Sequence, residues 1–295
     1  MNPAPESATT VADALATAHD REERTDLRVL LAYVFGRPIA WLLAHPEAPL
    51  GEAAGQHYAG LCRRRQLGEP VAYLVGEREF HGLSFEVTPQ VLIPRPETEL
   101  LVDRLLEMFA PGTPGHILDL GTGSGAIAIT LACRRPHLHI VASDREAGAL
   151  EVARRNAVRL GAGGRIDFRL GDWFSILQGE RFDAIVSNPP YIAEGDSHLA
   201  QGDLRFEPQT ALVAGPDGLS DLTTIAGGAQ AHLRPGGRLL LEHGHDQATA
   251  VRRLLATAGF VDIRSTHDLA GIERVTTGRR CIDQPDTPGY AQKLS

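Results

Sequence analysis

Residues Phe182 to Tyr191 read FDAIVSNPPY. Phe182, Ala184, Ile185 and Val186 form the short apolar run that a buried parallel strand requires. Pro189 and Pro190 stop it, because neither can donate a ladder hydrogen bond. At that stop Asn188 offers a carboxamide with donors and an acceptor, and Pro189 a carbonyl with no N–H of its own. Pro190 restricts the shape of the residue before it, and Tyr191 adds a flat aromatic face. Such a set can hold a planar substrate carrying an NH2 group, with two acceptors for its hydrogens and a ring against its plane. Asn-Pro alone is ordinary turn chemistry; the four-residue string at the end of an apolar strand is far more specific.

The flanking chain repeats the same texture. HILDL from His116, LHIVAS, RIDFRL, FDAIVS and GRLLLEH are short apolar strands with helical patterns between most of them. That alternation predicts a parallel sheet with helices on both faces. The first of these strands ends in DLGTGSG, Asp119 to Gly125, and a helix opens directly after it. Gly121, Gly123 and Gly125 allow strained turn angles and a close approach of ligand to backbone. About twenty residues beyond Gly121, Asp144 ends the next strand, placed to accept hydrogen bonds from ribose hydroxyls. A third strand ends at Gly171-Asp172-Trp173, an acid beside an indole, suited to an adenine edge and face.

The glycines and Asp144 alone leave two cofactors open. Gly121, Gly123 and Ala126 also fit the G-x-G-x-x-A form of a nicotinamide-cofactor fingerprint. Trp173 and the NPPY string favour a nucleoside cofactor carrying the methyl group of S-adenosylmethionine.

The N-terminal third has a different character. From Val11 to about Gln66 the pattern is helical. Leu27, Leu30, Leu31, Val34 and Phe35 share one face, with Asp26 as the predicted cap and Gly36-Arg37-Pro38 as the stop. Trp41 to Leu43 begin a helix closed by His45-Pro46, and Leu61 belongs to a third, with Arg63, Arg64 and Arg65 as its solvated face. Val71 to Ile93 reads as two β-rich runs broken at His81-Gly82, a hairpin between modules. Thr98 is the predicted cap of the helix through Leu100, Leu101, Leu105 and Leu106. The expected organisation is a helical module over 1–70 with a loose start over residues 1–10, a hairpin linker over 71–95, a catalytic domain over 96–281 and a disordered tail over 282–295.

Composition narrows the function further. With 43% hydrophobic and 22% charged residues the chain has a globular composition, and a net charge of −8 argues against a dedicated nucleic-acid binder. Three widely spaced cysteines, Cys62, Cys133 and Cys281, show neither metal-ligand spacing nor a disulfide framework, which suits a reducing cytoplasm. No signal peptide, membrane span or internal repeat is read. His243 and His245 follow an apolar strand and read as structural; Glu242 ends that strand and is a candidate contact for cofactor or partner. Arg205, Phe206, Glu207 and Pro208 are expected in a loop beside the NPPY pocket.

In their order these motifs resemble the release-factor glutamine methyltransferases. The likeness runs from the helical module to about Arg279 and rests on REFHGLSFEV, LIPRPETE, DLGTGSG, NPPY, LRFEPQTALVAGPDG, LLLEHG and ERVTTGR. Glu97 stands where the family often has Asp, keeping the charge. The resemblance implies an α/β fold: a seven-stranded Rossmann-like methyltransferase domain with a small N-terminal helical domain joined by a β-hairpin. It implies S-adenosylmethionine at Gly121, Thr122, Gly123, Ser124, Gly125, Asp144, Trp173 and Asn188, to which the reading above adds Asp172. Asn188, Pro189, Pro190 and Tyr191 become the substrate positions, with Asn188, Pro189 and Tyr191 in the chemistry and no metal. The implied substrate is the glutamine of the Gly-Gly-Gln loop of class-1 peptide chain release factors, and the helical module would grip that partner. A cytoplasmic monomer is expected, without nucleic acid or membrane. Two neighbours in function share the Asn-Pro-Pro-aromatic string. A DNA amino-methyltransferase would need a basic groove and a target-recognition region. A ribosomal-protein glutamine methyltransferase is nearer, but LRFEPQTALVAG is more like the release-factor branch.

Overall fold

The computed structural model describes residues 9–177 and 179–282. Of the predicted loose start and disordered tail, all but Thr9, Thr10 and Ile282 lie outside the described residues. The chain divides into two units. One takes the chain up to Glu77 together with Ala200–Phe206; the other takes Arg78–Leu199 and the chain from Glu207 onward.

The first unit is helical: α1 (Val11–Leu15), α2 (Arg21–Phe35), α3 (Ile39–Ala44), α4 (Glu52–Gln66) and α5 (Val71–Val75). Thr10 and Asp13 open α1 by each accepting the other's backbone N–H, so the end of the predicted loose start is tied down. Leu27, Leu30 and Leu31 bury against Leu42, Tyr58, Leu61 and Leu74. Gly36 ends α2 in the left-handed conformation, as the sequence predicts. The predicted start is displaced. Asp20, not Asp26, caps α2 by accepting the Glu23 N–H at 2.8 Å; Asp26 lies inside the helix and takes Arg65 Nε at 2.7 Å. Arg65 also reaches Asp203, at 3.1 Å, in the segment that joins this unit from mid-chain. The arginine run is therefore solvated only in part. Val71–Val75 is a helix rather than the predicted strand, with Pro70 at its N-cap and Gly76 left-handed at its end. Leu74 belongs to the helical core, which moves the predicted boundary from 70 to Glu77.

The predicted hairpin is β1 (Glu77–Phe80) and β2 (Leu83–Glu86), turning through His81 and Gly82, both at positive φ. Phe80 and Phe85 are buried in the core beneath α6 (Glu99–Met108), so the hairpin is packed structure and not a free linker. The remaining elements are β3 (Gly115–Leu120), α7 (Ala126–Arg134), β4 (Leu138–Asp144), α8 (Ala147–Arg159), β5 (Ile166–Leu170), β6 (Phe182–Ser187), α9 (Ser220–His232), β7 (Leu233–Glu242), α10 (Ala248–Thr257), β8 (Val261–His267) and β9 (Glu273–Arg279). The sheet has seven strands in the order β5-β4-β3-β6-β7-β9-β8. β3 to β7 are parallel as predicted, whereas β9 runs antiparallel to both β7 and β8. The sheet is therefore mixed.

Strand periodicity divides the core in two. Ile117, Ala184, Val186 and Leu240 face α6 and α7, while Leu118, Ile185, Leu239 and Leu241 face α9 and α10. Both faces being covered, the central strands read as continuous apolar runs.

Candidate active site

Sheet register brings the motifs together. Leu120 pairs with Ser143 of β4 on one side and with Ser187 of β6 on the other. The residues that follow, Gly121, Asp144 and Asn188, leave the sheet side by side at the carboxyl ends of three neighbouring strands. The strand order reverses between β3 and β6, and open α/β sheets bind ligands at such a point.

Gly121, Gly123 and Gly125 all take positive φ. Thr122 anchors the loop, donating its N–H to Ser143 O at 2.9 Å and its hydroxyl to Asp119 Oδ2 at 2.7 Å. Asp119 is fully buried with Oδ1 unpartnered, and burial pushes its carboxyl up to about 7. A Cβ on Gly125 would lie 2.5 Å from Ile129 Cδ1 and 3.2 Å from Ala153 Cβ, so this glycine lets the loop close on α7 and α8. Ser124 O accepts from Asn156 Nδ2 at 3.0 Å, and Asn156 also holds the backbone N–H and carbonyl of Glu86.

Asp144 accepts the Gly123 N–H at 2.9 Å on one oxygen and the Glu146 N–H at 2.9 Å on the other. Burial raises its pKa and these two donors oppose the rise. Each oxygen keeps a second lone pair for a hydroxyl. Trp173 adopts φ 43°, and its indole ring stands 3.6 Å from where a Gly121 Cβ would sit. Burial raises the pKa of Asp221, and Arg145 and the Trp173 indole oppose the rise.

These residues line one cleft: Gly121 to Ser124, Asp144, Asp172, Trp173, Asn188 and Pro190 all face it. Its space, open mouth included, is about 910 Å³, within the range of small-molecule sites. A loop opened by glycines, an acid with free lone pairs and a flat indole fit a nucleoside cofactor. Pro189 is buried, and neither it nor Tyr191 lines this cleft.

The NPPY string is tied to two residues with little prominence in the sequence. Asn188 Nδ2 donates to Thr98 Oγ1 at 3.0 Å, leaving its Oδ1 as an acceptor. Thr98 makes no side-chain cap for α6, contrary to the prediction, because its hydroxyl is engaged here. Tyr191 donates its hydroxyl to Glu242 Oε1 at 3.4 Å, while its ring packs on the α9–α10 core. Glu242 is 1% exposed. Burial pushes it up to about 7; the Thr98 hydroxyl opposes that rise, Glu97 adds to it, and the Tyr191 hydroxyl and Arg274 oppose it.

The predicted loop beside the pocket separates into parts. Arg205 and Phe206 belong to the helical unit, where the guanidinium lies against Gly68 and over the Phe206 ring. Glu207 is buried, accepting the Ile93 N–H at 3.0 Å and pairing with Arg95. Pro208 lines the cleft. His243 is buried between Gly244 O and the Thr276 hydroxyl, a structural histidine as expected. The three cysteines are unpaired. Among the described residues no cluster of His, Cys, Asp and Glu is arranged to hold a metal, and no helix is long and apolar enough to cross a membrane.

Residues 8–76 match the PrmC N-terminal domain and residues 96–206 the methyltransferase small domain. The chain is 51% identical over 265 residues to a release factor glutamine methyltransferase of Xylella fastidiosa, covering 90% of this chain and 96% of that one. To its counterpart in Burkholderia pseudomallei it is 52% identical over 259 residues, covering 86% and 91%. Among solved structures, a methyltransferase from Pyrococcus furiosus is similar with a TM-score of 0.52 at 19% identity, over 76% of this chain and 100% of that one, a likeness of fold alone. The chain belongs to the release factor glutamine methyltransferase family.

Proposed function

We propose that this protein methylates the side-chain amide nitrogen of the glutamine in the Gly-Gly-Gln loop of class-1 peptide chain release factors. S-adenosylmethionine, when bound, supplies a methyl carbon activated by its sulfonium. The observation that carries the reading is Asn188, whose Nδ2 is spoken for by Thr98 and whose carbonyl is left to accept beside the glycine-loop cleft.

An amide nitrogen is a poor nucleophile because its lone pair is delocalised into its carbonyl. Asn188 Oδ1 and the Pro189 carbonyl accept its two hydrogens, drawing electron density back onto nitrogen and aiming the lone pair. Positive charge would pass from the donor's sulfonium to that nitrogen as the C–S bond breaks and the C–N bond forms, the donor leaving as a neutral thioether, so acceptors already in place would stabilise the transition state without reorganising. Tyr191 supplies the face against the amide plane, its hydroxyl held by Glu242, and Pro190 stiffens the turn. Gly121 to Gly125, Asp144, Asp172 and Trp173 hold the nucleoside. No dedicated base is assigned: once methyl is added, the nitrogen is acidic enough to lose its proton to solvent.

We assign release-factor binding to the helical unit and place the protein in the cytoplasm, where its unpaired cysteines stay reduced. The test is incubation with labelled S-adenosylmethionine and, separately, purified release factors, ribosomal proteins and DNA. Label on the release-factor glutamine is the expected result; label on either of the others and none on release factor contradicts it.

A further inference from the structure

A carboxamide is nearly symmetric in shape, but only one of its edges accepts hydrogen bonds. If Asn188 presented its NH2 edge to the substrate, donor would face donor and the site would repel the amide. Something must fix the choice. Thr98 Oγ1 takes a hydrogen from Asn188 Nδ2 at 3.0 Å. A hydroxyl carries one hydrogen and two lone pairs, so Thr98 accepts from Asn188 only while its own hydrogen points elsewhere. The Thr98 hydroxyl also acts on the Glu242 carboxylate, holding its pKa down against the rise that burial causes. Glu242 Oε2 is buried without a hydrogen-bond partner and its Oε1 takes only a long contact from Tyr191, so the carboxylate has acceptor capacity unused.

We propose that Thr98 and Glu242 are positioning residues: ionised Glu242 draws the Thr98 hydroxyl hydrogen to itself, which obliges Thr98 to accept from Asn188 and turns the Asn188 carbonyl towards the substrate amide. This rests on the reading of Asn188 given above and adds the device that sets its polarity. The order is reversible. Protonated Glu242 is itself a donor; Thr98 then accepts from Glu242 and donates to the Asn188 carbonyl, and the amide presents its NH2 edge to the substrate.

Burial raises Glu242 to about 7, opposed by the Thr98 hydroxyl; Glu97, in the turn before α6, adds to the rise, and Tyr191 beyond β6 and Arg274 on β9 oppose it. The switch therefore falls near neutral pH, with turnover lost on the acid side.

The test uses the full-length protein, purified release factor and labelled S-adenosylmethionine, with kcat and KM followed from about pH 5.5 to about pH 8.5. Thr98→Val keeps the volume and removes the hydroxyl; kcat is expected to fall about tenfold or more, with KM for S-adenosylmethionine changed less than about threefold. Thr98→Ser restores most of the turnover. The wild-type acid limb disappears in Glu242→Gln, which has no proton to gain. Equal losses in Thr98→Val and Thr98→Ser, or an acid limb that persists in Glu242→Gln, overturn the relay, as does a wild-type profile without an acid limb. The last two decide the matter even if Thr98→Val does not fold. Asn188→Ala, run alongside, separates the two claims. If it loses turnover while Thr98→Val keeps wild-type kcat, the relay falls and the Asn188 reading stands; if Asn188→Ala keeps turnover, that reading falls first.

Discussion

Asp144 Oδ2 accepts the backbone N–H of Gly123 at 2.9 Å. The acid that ends β4 thus holds the shape of the glycine loop that follows the neighbouring strand β3. The same carboxylate shapes the cradle and offers its remaining lone pairs to the ligand, which couples loop geometry to affinity.

Asp144→Ala removes both effects at once. Hydrogen bonds to a charged group contribute about 1.5–3 kcal/mol each, so the dissociation constant for S-adenosylmethionine is expected to rise at least about tenfold. Isothermal titration calorimetry measures it; a constant within twofold of wild type means Asp144 does not hold the cofactor.

The glycines of the loop are not equivalent. A methyl group on Gly123 meets nothing within 4 Å, whereas one on Gly125 runs into Ile129 and Ala153. Both residues have positive φ, which costs a side chain about 1–2 kcal/mol. Gly125→Ala adds overpacking of about 1–3 kcal/mol and is expected to lower the melting temperature more than Gly123→Ala. Equal shifts contradict this.

Asn156 joins the hairpin to the glycine loop, donating to Glu86 O and Ser124 O and accepting the Glu86 N–H at 2.7 Å. It is fully buried. Asn156→Ala strands those groups, at about 1–3 kcal/mol, and by loosening Ser124 it also weakens cofactor binding. Urea denaturation and calorimetry on the same variant test both; unchanged stability rules out the bridging role.

What the sequence made legible was local. Two prolines after an apolar run, or three glycines between a strand and a helix, dictate their own backbone, so NPPY and DLGTGSG could be placed without knowing their neighbours. Thr98 and Asn188 stand ninety residues apart in the chain, and no local pattern marks a threonine whose hydroxyl serves a distant carboxamide rather than its own helix. Glu242 was visible only as an acid ending a strand, because its burial is made by the packing around it. The Asp26 cap was a different failure: Asp20 and Glu23 carry the D-x-x-E spacing of a helix start. In Val71–Val75, β-prone residues were overridden by Pro70 and Gly76, which bound a helical turn. The polar alternation of β8, and β9 as its partner, gave too weak an apolar signal to reveal the antiparallel pair.

Asp119 makes stability depend on pH. Burial raises its folded carboxyl to about 7, the Thr122 hydroxyl opposing that rise, while an unfolded Asp titrates near 3.9. Between those values the folded state binds the proton and the unfolded state does not. Its contribution is therefore fully present below about pH 4 and is lost as pH rises through about 7. Asp119→Asn, neutral throughout, should gain stability relative to wild type from about pH 5 to about pH 8, followed by urea unfolding. Parallel curves for the two proteins contradict the assignment.

The most direct test is single-turnover methyl transfer to release-factor glutamine by Asn188→Ala, measured beside its affinity for S-adenosylmethionine. Losing one preorganised hydrogen-bonding group costs about 100-fold in rate or more, so transfer should fall at least that far while the dissociation constant stays within about tenfold. Transfer near the wild-type rate, with cofactor binding lost instead, would show that the carboxamide holds the donor and not the amide that receives the methyl group.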